Sequence, residues 1–505
     1  YSTQAAFFDY DLDGDLDMFL LNHNVKKIDN MEFARFKNET DTLAGNKLFE
    51  NKNNHFTDVT NKAGIVQNPL TFGLGIAVAD INKDGWPDIY VTNDYNEPDY
   101  LYINQHNGTF TNETQKRFRH LSQFSMGVDV ADINNDGFPD LLTLDMLPED
   151  NHRQKLLQLQ ENYESFELMQ QQGLYKQYMR NMLQLNNGDG TFSEIGQLAG
   201  VSNTDWSWSP LIADFDNDGY KDIFITNGYR RDYTNKDFLR YWGDYKVKQA
   251  VERQPYLLMD LIKAMPSTEL NNYIFRNNHD LTFENKQKEW GITQSGISNG
   301  AVYADLDNDG DLDLVINHLN SAAVIYKNTA REQGKASFID IKLLAKTGNT
   351  TALGTRIELY SGGQMQYQEI LAAHGYLSSM NTTAHFGLGN SARIDSVVIN
   401  WPGNKKQVLR DVKANQVLTV EFDAGKTSDA VFAGKNSRTV FSKQEPLIRH
   451  TNIAPDVNDF KRQQLMMFMY SKTGPVLAEA DVNQDGLEDL FVSGNGNGAD
   501  KIYIQ

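Results

Sequence analysis

The chain has 505 residues, 40% of them apolar and 11% aromatic, with ten histidines, no cysteine and a net charge of −20. Its length accommodates about two to four domains with buried cores, and the absence of cysteine excludes disulfides, zinc-thiolate centres and cysteine nucleophiles. The acidic balance, relieved only by short basic pairs such as Arg230-Arg231 and Lys405-Lys406, argues against a nucleic-acid partner, and no run approaches the ~18 consecutive apolar residues of a transmembrane helix.

In chain order, the first feature is FFDYDLDGDLDMFLL, Phe7 to Leu21, which sets Asp9, Asp11, Asp13, Asp15 and Asp17 directly before a strand-like apolar run. Its pattern, Asp-x-[Asp/Asn]-x-Asp-Gly-x-x-Asp, recurs five times. Residues 23–47 then read as an insertion. The second copy holds Asp80, Asn82, Asp84, Trp86 and Asp88; the third, 52 residues on, holds Asp132, Asn134, Asp136, Phe138 and Asp140. Residues 148–181 are predicted to form a helical insertion. TDWSWSPLIADFDNDG leads into the fourth copy at Asp214, Asp216, Asp218, Tyr220 and Asp222. A second helical insertion is predicted over 232–270, broken near Pro255 and Pro266. Asp305, Asp307, Asp309, Asp311 and Asp313 make the fifth copy, and Asp481, Asn483, Asp485, Leu487 and Asp489 the sixth.

Each of the first four loops is followed by four or five β-formers and then by an Asn-bearing run ending in Phe: LFENKNNHF, LYINQHNGTF, LQLNNGDGTF and IFRNNHDLTF. Strand, loop, strand, turn, strand, turn, strand is the content of one four-stranded propeller blade.

Carboxylates at positions 1, 3, 5 and 9 around a Gly at 6 converge on one point and repel one another unless a cation sits there. A flexible, multiply carboxylated oxygen set suits Ca²⁺ better than Mg²⁺, and the freely varying position 7 is expected to ligate through its carbonyl. Loops with Asn at position 3 should bind more weakly. An EF-hand needs Glu at position 12, where these loops have Leu20, Val91, Thr143, Ile225, Ile316 and Val492, and β-runs rather than helices flank them. The blander alternative, turn formers carrying solubility charge, does not account for six copies in register.

With these residues in view, the chain resembles the FG-GAP/VCBS repeat proteins, whose Ca²⁺ loops sit in integrin-type propeller blades; FGLGIAVADINKDGWPDIYVTN carries the match. Phe338 to Phe422 resembles the ASPIC/UnbV domain through ALGTRIELY, GYLSS, AHFGLG and DSVVINWPGNKKQVL, with Trp401-Pro402-Gly403-Asn404 departing from the usual Trp-Pro-Ser-Gly. The combination is similar to exported proteins of Bacteroidota-type bacteria and, more distantly, to the cartilage acidic protein family. The resemblance implies an all-β chain. Residues 1–330 are expected as five blades of a seven-bladed propeller whose other blades precede Tyr1. Residues 331–425 are expected as an ASPIC/UnbV-like β domain, 426–470 as a connector, and 471–505 as the first blade of a second propeller. It also implies export to the outer-membrane surface or the exterior, with a targeting segment outside this chain.

No nucleophile elbow, P-loop, HExxH or dinucleotide fingerprint is present, so no catalytic residue is nominated; His318, His374 and His385 are expected to be packed or solvated. Trp206 and Trp208, two apart in a strand, share a face and with Arg230 and Arg231 form a candidate platform for an acidic glycan. Packing between blades is the competing reading. The leading expectation is a Ca²⁺-stabilised surface protein that binds glycan or protein partners. A Ca²⁺-assisted carbohydrate-active enzyme, such as a polysaccharide lyase, and a purely structural adhesion module are the alternatives.

Overall fold

The computed structural model describes the chain except residues 27, 29–31, 158–162, 256, 335, 347, 430–444, 446–447, 449, 452–454 and 495–497. Nearly half of the expected connector, 430–444, 446–447, 449 and 452–454, therefore lies outside the described residues. Tyr1–Glu161 with Phe166–Lys435 form one compact unit, and Asn436–Gln505 with Asn162–Ser165 form another.

The first four repeats each fold into a four-stranded antiparallel sheet whose sheet order is chain order. Their strands are Ser2–Phe8, Asp17–Asn22, Lys47–Lys52 and His55–Asp58; Gly73–Ala79, Asp88–Asn93, Tyr100–Asn104 and Phe110–Asn112; Val128–Ala131, Asp140–Thr143, Met182–Asn186 and Phe192–Glu194; Ser207–Ala213, Asp222–Asn227, Tyr273–Asn277 and Phe283–Asn285. The fifth sheet has three, Ser298–Ala304, Asp313–His318 and Val324–Tyr326. The inner strands of successive sheets lie side by side, as in propeller blades.

Stacking of this kind buries both faces of a sheet. That is why DIYVTN and DIFITN are buried at every position instead of alternating. Between the first two sheets lie Phe19, Leu21, Ile76 and Tyr102; between the third and fourth lie Leu142, Leu183, Ile223 and Phe275. Each such side chain contributes about 1.5–3 kcal/mol on burial. The residue at loop position 2 closes each layer: Tyr10, Ile81, Ile133 and Phe215 are buried, whereas Leu306 of the fifth sheet is 51% exposed and Ile325 of the same sheet 64%.

Helices form where insertions were expected, at Asn151–Leu157, Tyr163–Gln171, Lys236–Val251 and Leu258–Ala264. Asn235 caps the longest by accepting the Phe238 N–H at 3.0 Å.

Residues 337–421 build a sandwich. Ser337–Leu344 runs between Thr383–Gly389 and, in parallel, Val417–Glu421; the facing sheet contains Gln364–Glu369, Arg356–Ser361, Arg393–Trp401 and Lys405–Lys413. Ile341, Ile357, Phe386, Val397 and Trp401 fill the space between them.

A short hairpin of this sandwich, Ala373–His374 with Ser378–Ser379, reaches the inner strands of the second to fifth sheets. Val128 N–H donates to Gly375 O at 3.2 Å, and Tyr376 N–H to Ser209 Oγ at 3.1 Å. Gly375 is required: its φ is +62°, and a Cβ would stand 2.0 Å from Ser209 Oγ. His374 Nδ1 lies 2.7 Å from Asp129 Oδ1. Burial resists the charge on His374, but the Asp129 carboxylate outweighs it and holds the imidazole pKa above its usual value. A raised pKa in the folded state means stabilisation that is complete below the unfolded value, about 6.5, and lost as pH rises through the folded one. Urea unfolding of the parent should therefore weaken above about pH 6.5 more steeply than that of His374→Gln.

Candidate metal centres and the aromatic face

All six loops share one backbone. The position-6 glycines have φ between +86° and +98°, and the residue at position 4, such as Leu12, Asn217 or Asn308, is also left-handed. That double reversal turns the loop around the position-1 aspartate. Asp9, Asp80, Asp132, Asp214, Asp305 and Asp481 each accept the N–H of the loop glycine, at 2.8–3.0 Å.

Carboxylates at positions 1, 3 and 5 then face one another. Ligand atoms of Asp9, Asp11 and Asp13 lie within 4.8 Å, as do those of Asp214, Asp216 and Asp218; in the fifth loop Asp305, Asp307 and Asp313 do so. Burial first, then Asp13 and Asp11, push Asp9 up to about 7 against the Gly14 N–H. Burial and neighbouring Asp218 push Asp214 to about 7 although Lys221 opposes them. Asp9 Oδ1 is buried and accepts no hydrogen bond among the described residues. An orphaned buried oxygen beside two further carboxylates fits a hard dication, which would satisfy it and cancel the repulsion.

Position 5 holds the next residue but one: Asp15, Trp86, Phe138, Tyr220, Asp311 and Leu487 each donate their N–H to it at 2.9–3.0 Å. The Asp311 carboxylate is engaged elsewhere, by Asn217 Nδ2 at 2.7 Å and Arg331 N–H at 2.9 Å. Where position 3 is amide, Asn82, Asn134 and Asn483 donate to Asp84, Asp136 and Asp485 at 2.7, 3.3 and 2.8 Å.

Position 9 does a second job. Asp17 accepts the Tyr10 N–H at 3.0 Å on one oxygen and the Asn51 N–H at 2.7 Å on the other. Asp88, Asp140, Asp222, Asp313 and Asp489 repeat this toward their own loop and the third strand or the two residues after it, from Ile81 and Asn104, for example, at 3.1 and 2.9 Å. These aspartates lock loop to sheet whether or not they ligate.

Several partners of the loops are absent from the sequence motif. Trp86 stacks on His106 at 4.9 Å and Tyr220 on His279 at 3.9 Å, while each histidine reaches its position-5 aspartate, Asp84 or Asp218, at 2.9 Å. Arg276 bridges Asp216 and Asp218 at 2.7 and 2.8 Å, and Lys327 bridges Asp307 and Asp309 at 2.7 and 3.4 Å. Lys221 is buried between Asp132 and Asp214, its Nζ 5.5 Å from the Phe386 ring centroid.

The sandwich rests on the loops of the first five repeats. Asn349 N–H donates to Gly14 O at 3.0 Å; Arg356 pairs with Asp80, whose N–H donates to Glu369 at 3.0 Å; Lys83 lies over the Tyr367 ring at 4.5 Å. Met365 borders Gly137, Gly389 N–H donates to Asn217 O at 2.8 Å, and the Phe338 ring abuts Gly310. His385 links the two parts, with Asp340 and Asn217 each 2.8 Å away.

The aromatic face is elsewhere. Trp206 is buried, stacked on Tyr229 at 4.2 Å and tilted against Tyr233 at 5.6 Å. Trp208 is half-buried, donates Nε1–H to Gly228 O at 2.8 Å and meets Tyr376 at 4.8 Å. Phe72, Leu74 and Met126 belong to the same cluster. Arg231 donates to Met265 O at 3.0 Å, whereas Arg230, Tyr95 and Tyr233 are exposed. The structure thus joins the two tryptophans in one cluster, but Trp206 is buried, with one face taken by Tyr229.

Residues 345–427 match the ASPIC and UnbV family, and residues 9–91, 80–143, 174–225 and 258–316 match the FG-GAP-like repeat. Cartilage acidic protein 1 of Mus musculus is 26% identical over 368 residues, covering 72% of this chain and 46% of that protein. The Homo sapiens counterpart is 25% identical over 72% of this chain and 45% of its own length. Integrin alpha-6 of Homo sapiens is 35% identical over 82 residues, 14% of this chain and 7% of that protein. The chain thus spans less than half the length of these relatives. Among the described residues no helix is long and apolar enough to cross a membrane.

Proposed function

Since the chain carries FG-GAP-like repeats followed by an ASPIC and UnbV domain, we propose that it is an exported, calcium-stabilised β-propeller serving at the cell surface as a binding or scaffold protein for glycan or protein partners. Calcium at the loops neutralises carboxylates that burial and mutual repulsion now oppose, and fixes the surface on which the sandwich rests. The observation that carries the binding role is the aromatic face. Exposed Tyr95 packs on Phe72 and exposed Tyr233 on Tyr229, two rings of the cluster that also holds half-buried Trp208, and exposed Arg230 follows Tyr229 in sequence. Flat rings with polar edges stack on sugars or on partner side chains, and an exposed guanidinium favours an acidic group.

Native affinity gels with a panel of polysaccharides test this, read together with assays for new reducing or unsaturated ends. Retardation without depolymerisation is expected, and Trp208→Ala with Tyr233→Ala should abolish it while the fold persists. Trp206→Ala should instead destabilise the chain by about 3–5 kcal/mol, the cost of emptying a buried aromatic site. Depolymerisation would replace the binding role with the enzymatic one.

A further inference from the structure

We infer that the aromatic face seats the protonated amine of an amino sugar, with Asp94 as its counter-ion. The inference rests on the glycan-binding role proposed above and names the group that is bound. Asp94 follows the second strand of the second sheet, Asp88–Asn93, and its N–H donates to Phe72 O at 2.9 Å. This places it at the end of the strand opposite the metal loop. The same place in the other four sheets holds His23, Met146, Gly228 and Leu319, so only the second sheet puts a carboxylate there.

The neighbours of this carboxylate are rings. Phe72 meets Tyr95 edge-on at 5.1 Å, Tyr229 lies 5.6 Å from Tyr233 and 6.3 Å from Trp208, and Trp208 meets Tyr376 at 4.8 Å. Burial is the main cause of the raised phenol pKa values of Tyr95, Tyr233 and Tyr376, but the Asp94 carboxylate adds to each, which sets its charge among these rings. Among the described residues it accepts one hydrogen bond, from the Tyr95 N–H to Oδ1 at 2.7 Å, and makes no ion pair. Burial pushes it up to about 7 against that bond, with Asp145 adding to the rise. Asp145 itself is satisfied, by Ser122 Oγ and by the N–H groups of Gln123, Phe124 and Met146. Asp94 Oδ2 has no such donor among the described residues.

A half-buried carboxylate among aromatic faces selects a cation. The faces are electronegative, so an ammonium within about 6 Å of their centroids is drawn by rings and carboxylate together. Its N–H groups also supply the donor that Asp94 Oδ2 lacks, in a charge-assisted bond. The breadth of the face favours an amino sugar over a bare amine. Tyr95 is 53% exposed, Tyr233 41%, and Trp208 is half-buried, which offers flat apolar surface to the C–H face of a pyranose beside the charge. Exposed Arg230 stays available to an acidic sugar of the same glycan.

The test is calorimetric titration of the 505-residue chain, with calcium present and at physiological ionic strength, against a glucosamine tetrasaccharide, its N-acetylated counterpart and tetralysine. The amino sugar should bind at least about tenfold more tightly than the acetylated form, which keeps the stacking surface and loses the charge, and more tightly than tetralysine, which keeps the charge and loses the surface. Asp94→Asn retains an oxygen for the Tyr95 N–H and should cut the preference for the amino sugar to about twofold or less without lowering the melting temperature. If that variant fails to fold, the comparison of the two saccharides on the parent decides. Equal affinity for both saccharides, binding of neither, tetralysine bound as tightly as the amino sugar, or an undiminished preference in folded Asp94→Asn would overturn the inference. Retardation by the polysaccharide panel would then still stand for the glycan-binding role, and silence toward that panel as well would overturn both.

Discussion

Removing divalent metal with a chelator should lower the melting temperature of this chain by more than about 10 °C, and calcium, but not magnesium at equal concentration, should restore it. A ligand bound only to the native state stabilises by about 2.7 kcal/mol at a hundredfold excess over its dissociation constant, and several loops add. The structure gives the effect its location. In the first and fourth loops the position-1 aspartates are pushed to about 7 by burial and by neighbouring carboxylates. In the first loop Asp9 Oδ1 has no hydrogen bond among the described residues. Magnesium holds its waters too tightly to use so many protein oxygens. Removal of loop carboxylates should be graded: Asp11→Asn in the all-carboxylate first loop should cost more than Asp84→Asn in the second, where Asn82 already dilutes the charge.

Replacing Arg356 with Met should destabilise the chain by about 3–5 kcal/mol, the range for breaking a buried ion pair while its partner stays buried. Arg356 and Asp80 are both almost wholly buried, and Glu369 beside them is raised to about 8, by burial first and then by Asp80, with Arg356 opposing. Without the guanidinium, two carboxyl groups would share one apolar seam. Arg393→Met removes an exposed pair with Asp411 on the same sandwich and should change stability by less than about 1 kcal/mol. Urea unfolding of the two variants side by side separates a general loss of charge from loss of the contact between sandwich and second loop.

The repeat was legible because its determinants are local. Six glycines at position 6 and carboxylates at fixed offsets specify the loop before any long-range contact forms, and the β-runs after each loop specify a sheet. Spacing alone makes the position-9 aspartate a ligand and does not reveal that Asp17 also accepts the Tyr10 and Asn51 N–H groups. The asparagine that closes LFEN, LYIN, LQLN and IFRN was the available signal. Contacts such as Asp80 with Arg356 and Asn217 with His385 join residues far apart in the chain, and nothing in either stretch announces the other. The tryptophan pair shows the limit of period-two reasoning. Trp206 and Trp208 do share a cluster, but Tyr229 and Tyr233, from another strand's end, decide that Trp206 is covered.

The central claim is that these loops are calcium sites, and counting the metal tests it most directly. The chain should be stripped, dialysed against micromolar calcium and analysed for bound elements, with calorimetric titration of the stripped protein alongside. The account predicts saturable calcium binding at several ions per chain, not exceeding one per loop, and loss of one equivalent in Asp9→Ala. Calcium no higher than in the dialysis buffer, with no heat on titration, would contradict it.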